Sequence, residues 1–400
     1  MTQERKLLIG TYRSNNYHTL KLFTYQPTFT IMRHIYLTLL SFLLVFSSFA
    51  QSGKSSDRID IHGFNKVFEL EKLFNTIDIQ GEIWQVHAMS SDGTYVFIVN
   101  DQEVPPIKSY RLSDGKFMGG LGSIGEGPGE FTIINRSGFS VRKDRLVVQG
   151  IKYMRTFKIV EKGNKLDFQL DKEIKVPGEL GILNNGFMLN DYELAGSADF
   201  TAKEFVTMRL KGSEMGQSKD VGNFGDFPNY FPEIPNTAYH HLYMGNSNNS
   251  HDGKFLVKAY SRFPLIRIFD LRDGSFRDIE LEPKNEQITK IVPDQRGMSI
   301  ANGLEMFHYQ ERVKISEDFI VSYYQEESLK KVVSKGRGNL EAVPQTDPFL
   351  LVFNRAGELL AKLSPPDWYE RFILTPDNKM IVFRPEIENK LFTVDLNQFK

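Results

Sequence analysis

From residue 91 onward the chain alternates short apolar runs with tight polar turns. Ser91-Asp92-Gly93 is a turn signal, because Asp and Gly tolerate the positive φ that hairpins need. Thr94–Val99 is β-branched and aromatic and predicts a buried strand. Asn100–Pro106 is a polar connection whose two prolines cannot donate ladder hydrogen bonds. Ile107–Leu112 alternates apolar and polar, Ser113-Asp114-Gly115 turns the chain again, and Lys116–Leu121 is a further strand. Together they predict an antiparallel meander.

The unit recurs. Turn-plus-strand cores begin at Ser91, Lys143, Asn184, His251, Ser316 and Pro376, 41 to 67 residues apart. A further strand follows each, starting at Ile107, Met154, Phe205, Leu265, Phe349 and Leu391. Apolar segments precede the cores and predict innermost strands: Ile83–Met89, Ile134–Val141, Leu180–Leu183, Leu242–Met244, Val313–Ile315 and Arg371–Leu374. Six copies of four strands predict an all-β fold, a six-bladed β-propeller of four-stranded antiparallel blades. A twisted blade cannot bury its faces alone, so closing the ring is what protects them. The sixth copy reaches Lys400 one outer strand short, and the strand-like segment Lys66–Phe74 is expected to complete that last blade.

The N-terminal region reads differently. Residues 1–31 are polar and patternless, and are expected to form a leader with no part in the folded protein, Met32 being the true start. Residues 32–50 predict a signal peptide: Arg33, the apolar core Ile35–Phe46, then Ser48 and Ala50 at the small-residue positions of a cleavage site. Residues 51–63 are expected to be a short linker, and 64–400 a single propeller domain. Export to the periplasm or the cell exterior follows, with no integral membrane segment left after cleavage.

Composition narrows the chemistry. At 400 residues and 40% hydrophobic, the chain can bury a large core. A formal net charge of −1 makes no electrostatic case for nucleic acid or an anionic membrane. With no cysteine there is no disulfide, thiolate metal site or cysteine nucleophile. No Gly-x-Ser-x-Gly elbow, His-Glu-x-x-His motif or full Gly-x-x-x-x-Gly-Lys-Ser/Thr P-loop occurs.

The stretch Gly122–Phe131, GSIGEGPGEF, predicts a fixed crossover between two blades, since no helix or Lys follows to make it a phosphate cradle. With the signal peptide and the six copies, its Gly-x-Gly-Pro-Gly-Glu-Phe core resembles the TolB-like six-bladed propellers of secreted bacterial proteins, which are similar in shape to NHL-repeat propellers. The resemblance implies a fold and a compartment, and transfers no catalytic residues.

Propeller geometry sends the connections between second and third strands, and the crossovers between blades, to one face around the central channel. Loops on a rigid scaffold commonly carry function. Here they are Asn100–Pro106, Gly150–Tyr153, Asp191–Asp199, Ser261–Pro264, Gln325–Asp347 and Arg384–Asn389, with crossovers Gly122–Phe131 and Gly222–His241. They gather Asp101, Glu103, Glu126, Glu130, Asp191, Glu193, Arg262 and Arg384. The second crossover adds Phe224, Phe227, Tyr230, Phe231 and Tyr239, which suit stacking on a sugar or gripping a peptide, or else fold back to cover the channel or a blade edge. His240-His241 lacks a third ligand at diagnostic spacing, and the run Asn246–Asp252 reads as a polar hairpin turn. Lys330–Arg337 is basic and reads as a solvated loop.

The expected ligand-binding set is Asp101, Glu103, Glu126, Glu130, Tyr230, Phe231, His240, Arg262 and Arg384, with no metal and no cofactor. Two functions are open. One is a monomeric secreted binding or scaffold propeller for a carbohydrate, peptide or envelope protein. The other is a hydrolase or lyase that uses channel-mouth carboxylates, with or without a divalent cation.

Overall fold

The computed structural model describes residues 58–400 except 82, 84, 126, 128–129, 143, 151–152, 176–183, 191–192, 198–202, 211–217, 231–238, 240–241, 286–289, 295–296, 302–306, 335–336, 345, 368, 370 and 385–388. The predicted leader and signal peptide lie outside the described residues.

Six antiparallel four-stranded sheets follow one another along the chain and form a six-bladed β-propeller. From the innermost strand outward, blade 1 is Ala88–Ser91, Tyr95–Val99, Ile107–Arg111 and Phe117–Leu121. Blade 2 is Ser140–Arg142, Arg145–Gln149, Tyr153–Lys162 and Lys165–Lys175. Blade 3 is Asn184–Asn190, Glu193–Ser197, Phe205–Leu210 and Ser218–Phe224. Blade 4 is Gly245–Asn249, Phe255–Tyr260, Leu265–Asp270 and Phe276–Glu280. Blade 5 is Phe307–Ile315, Phe319–Ser334, Phe349–Asn354 and Leu359–Ser364, and blade 6 is Arg371–Leu374, Lys379–Phe383, Lys390–Asp395 and, from the other end of the chain, Asn75–Asp78.

Strand periodicity explains why second strands such as Tyr95–Val99 and Lys379–Phe383 are apolar on both faces. Successive side chains point to opposite faces, and each face meets a different neighbouring blade. In blade 1, Tyr95, Phe97 and Val99 pack with Val141, Leu146 and Val148 of blade 2, while Val96 and Ile98 pack with Ile373, Ile381 and Phe383 of blade 6. Equivalent clusters fill the other four seams, such as Phe205 with Leu256 and Phe269 between blades 3 and 4.

Polar side chains tie the same seams near the axis. The Ser90 hydroxyl accepts from the Val141 N–H at 2.8 Å, Asn248 accepts from the Ile315 N–H at 3.1 Å, and Arg142 donates to the carbonyls of Met188 and Leu189. Asn378, at φ 65°, accepts from the Ser316 hydroxyl and the Asp318 N–H and donates to the Asp318 carboxylate, joining blade 6 to blade 5.

Ring closure by an N-terminal strand is present, but through a different segment. Asn75–Asp78 pairs antiparallel with Lys390–Thr393, so the closing strand lies just beyond the expected Lys66–Phe74. Within that earlier segment, Val67–Glu69 adds a parallel fifth strand to blade 5, and Leu70 is fully buried. Gly115, at φ 65°, sits where a Cβ would come 1.8 Å from the Asp78 carbonyl, so the closing strand presses directly on the blade 1 turn. Upstream, Ile59 bridges to Leu281, and Lys362 donates to the Ile61 carbonyl at 2.6 Å. Of the predicted linker, the described residues 58–63 are therefore packed on blades 4 and 5.

Three further expectations need correction. In blade 3, Asn184–Asn190 is the innermost strand, not the second, and the second strand Glu193–Ser197 occupies the expected loop Asp191–Asp199. The expected long loop Gln325–Asp347 is a hairpin: the second strand of blade 5 runs on to Ser334 and pairs with Arg337–Pro344. In blade 4 the polar run after Met244 is itself the innermost strand, Gly245–Asn249, while Leu242 and Tyr243 are buried beside it. Periodicity assigns a polar strand to a turn when the strand faces water on one side.

Candidate functional site

The six innermost strands surround a cavity of about 230 Å³ on the propeller axis. Every blade contributes: His87, Ala88 and Met89 from blade 1, Arg136, Phe139 and Ser140 from blade 2, Gly186 and Phe187 from blade 3, Asn246–Asn249 from blade 4, Arg312 and Lys314 from blade 5, and Arg371–Ile373 from blade 6. A smaller cavity of about 60 Å³ continues it toward the hairpin turns, adding Arg142 and His251. Met89, Ser140, Asn248, Asn249, Lys314 and Ile373 line both.

Among the described residues, no aspartate or glutamate lines either cavity. Four basic side chains, Arg136, Arg312, Lys314 and Arg371, line the larger one. Arg312 and Lys314 are two residues apart on one strand and so share a face, while Val313 and Ile315 between and after them are buried in the seam. Arg371 donates to the His87 carbonyl, which fixes it across the seam between blades 6 and 1. Among the described residues, no carboxylate pairs with Arg136, Arg312 or Lys314. Lys314 faces channel water yet sits deep in the molecule. Burial first, then the charges of Arg312 and Arg371, push its pKa from 10.5 down to about 8.

The rim has one acid–base contact. His87 Nδ1 lies 2.5 Å from the Asp101 carboxylate, without the alignment of a hydrogen bond. His87 Nε2 meets Gln85 Oε1 at 3.1 Å. At the turn-side end, burial lowers the His251 pKa against the opposing pull of Asp92.

Of the residues singled out from sequence, Asp101 is thus brought to a channel-lining group. Glu103 is used within blade 1, accepting from Asn100 at 2.6 Å and pairing with Lys108. Glu130 folds back into its own loop: its carboxylate takes the Gly127 N–H at 2.7 Å and the Ser123 hydroxyl at 3.3 Å. A Cβ at Gly125 would come 2.1 Å from that carboxylate, which explains the glycine there. Phe131 is buried edge-on against Phe157, so the Gly-rich stretch is a self-filled crossover whose interior already holds a negative charge. Tyr230 stacks on Phe263 at 5.2 Å and keeps 42% of its surface exposed. Phe227 stacks on Tyr243, and Phe224 on Phe205. Arg262 and Arg384 are half-buried, and burial lowers the pKa of Arg262. Glu126, Phe231 and His240 lie outside the described residues. Among the described residues, no three His, Asp or Glu side chains gather as metal ligands.

The channel cations were not singled out from sequence. The available signal was the cation–apolar–cation alternation Arg312-Val313-Lys314 on a predicted innermost strand.

No protein-family model matches the chain, and no curated protein matches it by sequence. Solved structures match it by shape. A member of the DUF4221 family from Bacteroides vulgatus superposes with a TM-score of 0.50 at 11% identity, covering 80% of this chain and 95% of that one. A Bacteroides fragilis protein, named as a candidate for export, gives 0.48 at 10% identity, with 82% and 98% covered. The β-propeller domain of Cps50 (Swd1) from Myceliophteria thermophila gives 0.41 at 9%, with 81% and 99% covered. At these identities the likeness concerns the fold. Among the described residues, no helix is long and apolar enough to cross a membrane.

Proposed function

We propose that this protein is an exported propeller of the TolB-like kind that works as a monomeric, non-catalytic binding module. Its ligand, a carbohydrate, peptide or envelope protein, enters at the loop face and reaches the central channel. The observation that carries this reading is the axial cavity of about 230 Å³, lined by all six blades, five of which contribute polar or cationic side chains, with no carboxylate among the described lining residues. A hydrolase or lyase working through paired acids needs two carboxyls facing one substrate position. Asp101, Glu103 and Glu130 do not converge: each contacts a different group of its own neighbourhood. Exposed apolar side chains on the loop-face connections, Val104, Ile124 and Ile133, favour a macromolecular or glycan partner at the rim. Export rests on the sequence of residues 32–50.

The test is a thermal-shift screen of the purified protein against neutral and acidic glycans, cell-wall peptides and envelope extract, with a turnover assay on the same panel. A ligand bound only by the folded state raises the midpoint by mass action. A raised midpoint without turnover supports binding. Turnover of any panel member that Asp101→Asn abolishes would overturn it.

A further inference from the structure

Resting on the binding reading, we propose that the channel is an anion site: it takes a small carbohydrate bearing a carboxylate or phosphate, whose charged group sits among Arg136, Arg312, Lys314 and Arg371. The argument starts from charge. The protein as a whole is close to neutral, at −1, yet four basic side chains from three blades line one cavity, and the described residues that line it include no acid. Like charges held together in a partly desolvated space repel, and the lowered pKa of Lys314 records that repulsion in addition to its burial. Paired structural ions look different in this same molecule. At the seam of blades 3 and 4, Glu204 forms an ion pair with Lys258 at 2.7 Å and accepts from the Tyr260 hydroxyl at 2.9 Å, and Arg267 grips Asp278 at 2.6 and 2.8 Å. There every buried cation faces a carboxylate. In the channel, no carboxylate among the described residues faces Arg136, Arg312 or Lys314, which leaves their complementary negative charge for a ligand to supply.

The remaining wall sets the kind of anion. Asn246, Ser247 and Ser140 add amide and hydroxyl groups that pair with sugar hydroxyls, and Phe139 and Phe187 add apolar surface. A cavity of about 230 Å³ is smaller than the usual drug-sized pocket of roughly 300–1,000 Å³, which points to a terminal sugar residue and not a long chain threaded through the disc.

The experiment is calorimetric titration of the full chain with four probes: glucuronic acid, glucose 6-phosphate, glucose and inorganic phosphate. The two charged sugars separate carboxylate from phosphate as the preferred group. The expected result is that one of them binds and glucose does not. Arg312→Gln and Lys314→Gln should each weaken that binding about tenfold to a hundredfold, the usual worth of a charged hydrogen bond, with folded-state melting retained. Binding should also take up protons at about pH 8–9, because an anion beside Lys314 restores its proton. The other charged groups facing the cavity are Arg312, Arg371, Arg136, Arg142, His87 with Asp101, and His251. The arginines hold their charge throughout, and histidines ordinarily titrate near 6.5, so proton uptake in that window marks Lys314. A purely structural lysine would not produce it.

Inorganic phosphate binding as tightly as the sugars would mean an adventitious ion only and would overturn the proposal. So would the absence of binding by either charged sugar, or equal binding of glucose that Lys314→Gln leaves untouched. In the last case, or if a neutral glycan or peptide shifts the melting midpoint, the broader binding reading stands while the anion site falls.

Discussion

The second strands of blades 1 and 6 and the innermost strand of blade 4 are built on opposite rules. In Tyr95–Val99 every side chain is buried, and in Lys379–Phe383 all but the first. In Gly245–Asn249, one strand closer to the axis of blade 4, none is, and the sequence is Gly-Asn-Ser-Asn-Asn. A second strand has a blade against each face and neighbours on both edges. An innermost strand has a free edge toward channel water, so polar groups cost little there. The difference teaches where stability and recognition reside. The seams hold the ring together, and the axis is free to vary its chemistry.

If the seams carry stability, opening the ring should have the largest effect. Asn75–Asp78 is the outer strand of blade 6, and Leu70 lies buried among Val352, Leu363 and Val394. Deleting residues 58–78 should abolish a single cooperative unfolding transition in urea. The point variant Leu70→Ala should cost about 3 kcal/mol, typical of a fully buried Leu. A truncated chain with the parent's midpoint would show that the ring does not depend on this strand.

The next test sets the paired seam against the cation-lined channel. Glu204, Lys258, Tyr260 and Arg267 are all buried between blades 3 and 4. Glu204→Gln leaves Lys258 without its counter-ion in a dry seam, and should cost about 3–5 kcal/mol by urea denaturation. Adding Lys258→Met should recover part of that loss, because the orphaned charge is removed with it. A loss below about 1 kcal/mol would mean that this seam is wetter than its burial implies.

The same contrast explains what could be read from the residues alone. Apolar period-2 runs such as Tyr95–Val99 and Leu265–Asp270 are buried on both faces, and they identified the blades, their number and the closed ring. The apolar Val67, Phe68 and Leu70 make Lys66–Phe74 look more like a closing strand than the polar Asn75–Asp78, though the latter makes the ladder. An outer edge strand needs backbone hydrogen bonds more than apolar side chains. The candidate site was less legible for the same reason. Asp101, Glu103 and Glu130 were conspicuous as acids in loops, and two of the three are spent on local hydrogen bonds. The channel cations lie on innermost strands from separate blades, scattered from Arg136 to Arg371, and only closure of the ring brings them together. No local pattern encodes that convergence.

The smallest expected effect is a gain. Lys314 is protonated in the unfolded chain up to its ordinary 10.5, but in the folded protein only up to about 8. Below about pH 8 both states carry the proton, and the folded state bears the whole cost of holding it. Between about 8 and 10.5 the unfolded chain binds more protons than the folded one, so stability rises with pH; above both values the penalty is gone. A fall from 10.5 to about 8 corresponds to about 3 kcal/mol, and contact with channel water reduces this to about 2. Lys314→Met, similar in shape and uncharged, should therefore stabilise the ligand-free protein by about 2 kcal/mol at pH 7, and by little near pH 10.5. Urea midpoints of the two proteins across that range measure it directly. A gain independent of pH would mean that Met simply packs better than Lys. A gain that fades as pH rises would show that the channel holds a protonated amine at the expense of stability, which is the mark of a group kept for what it binds.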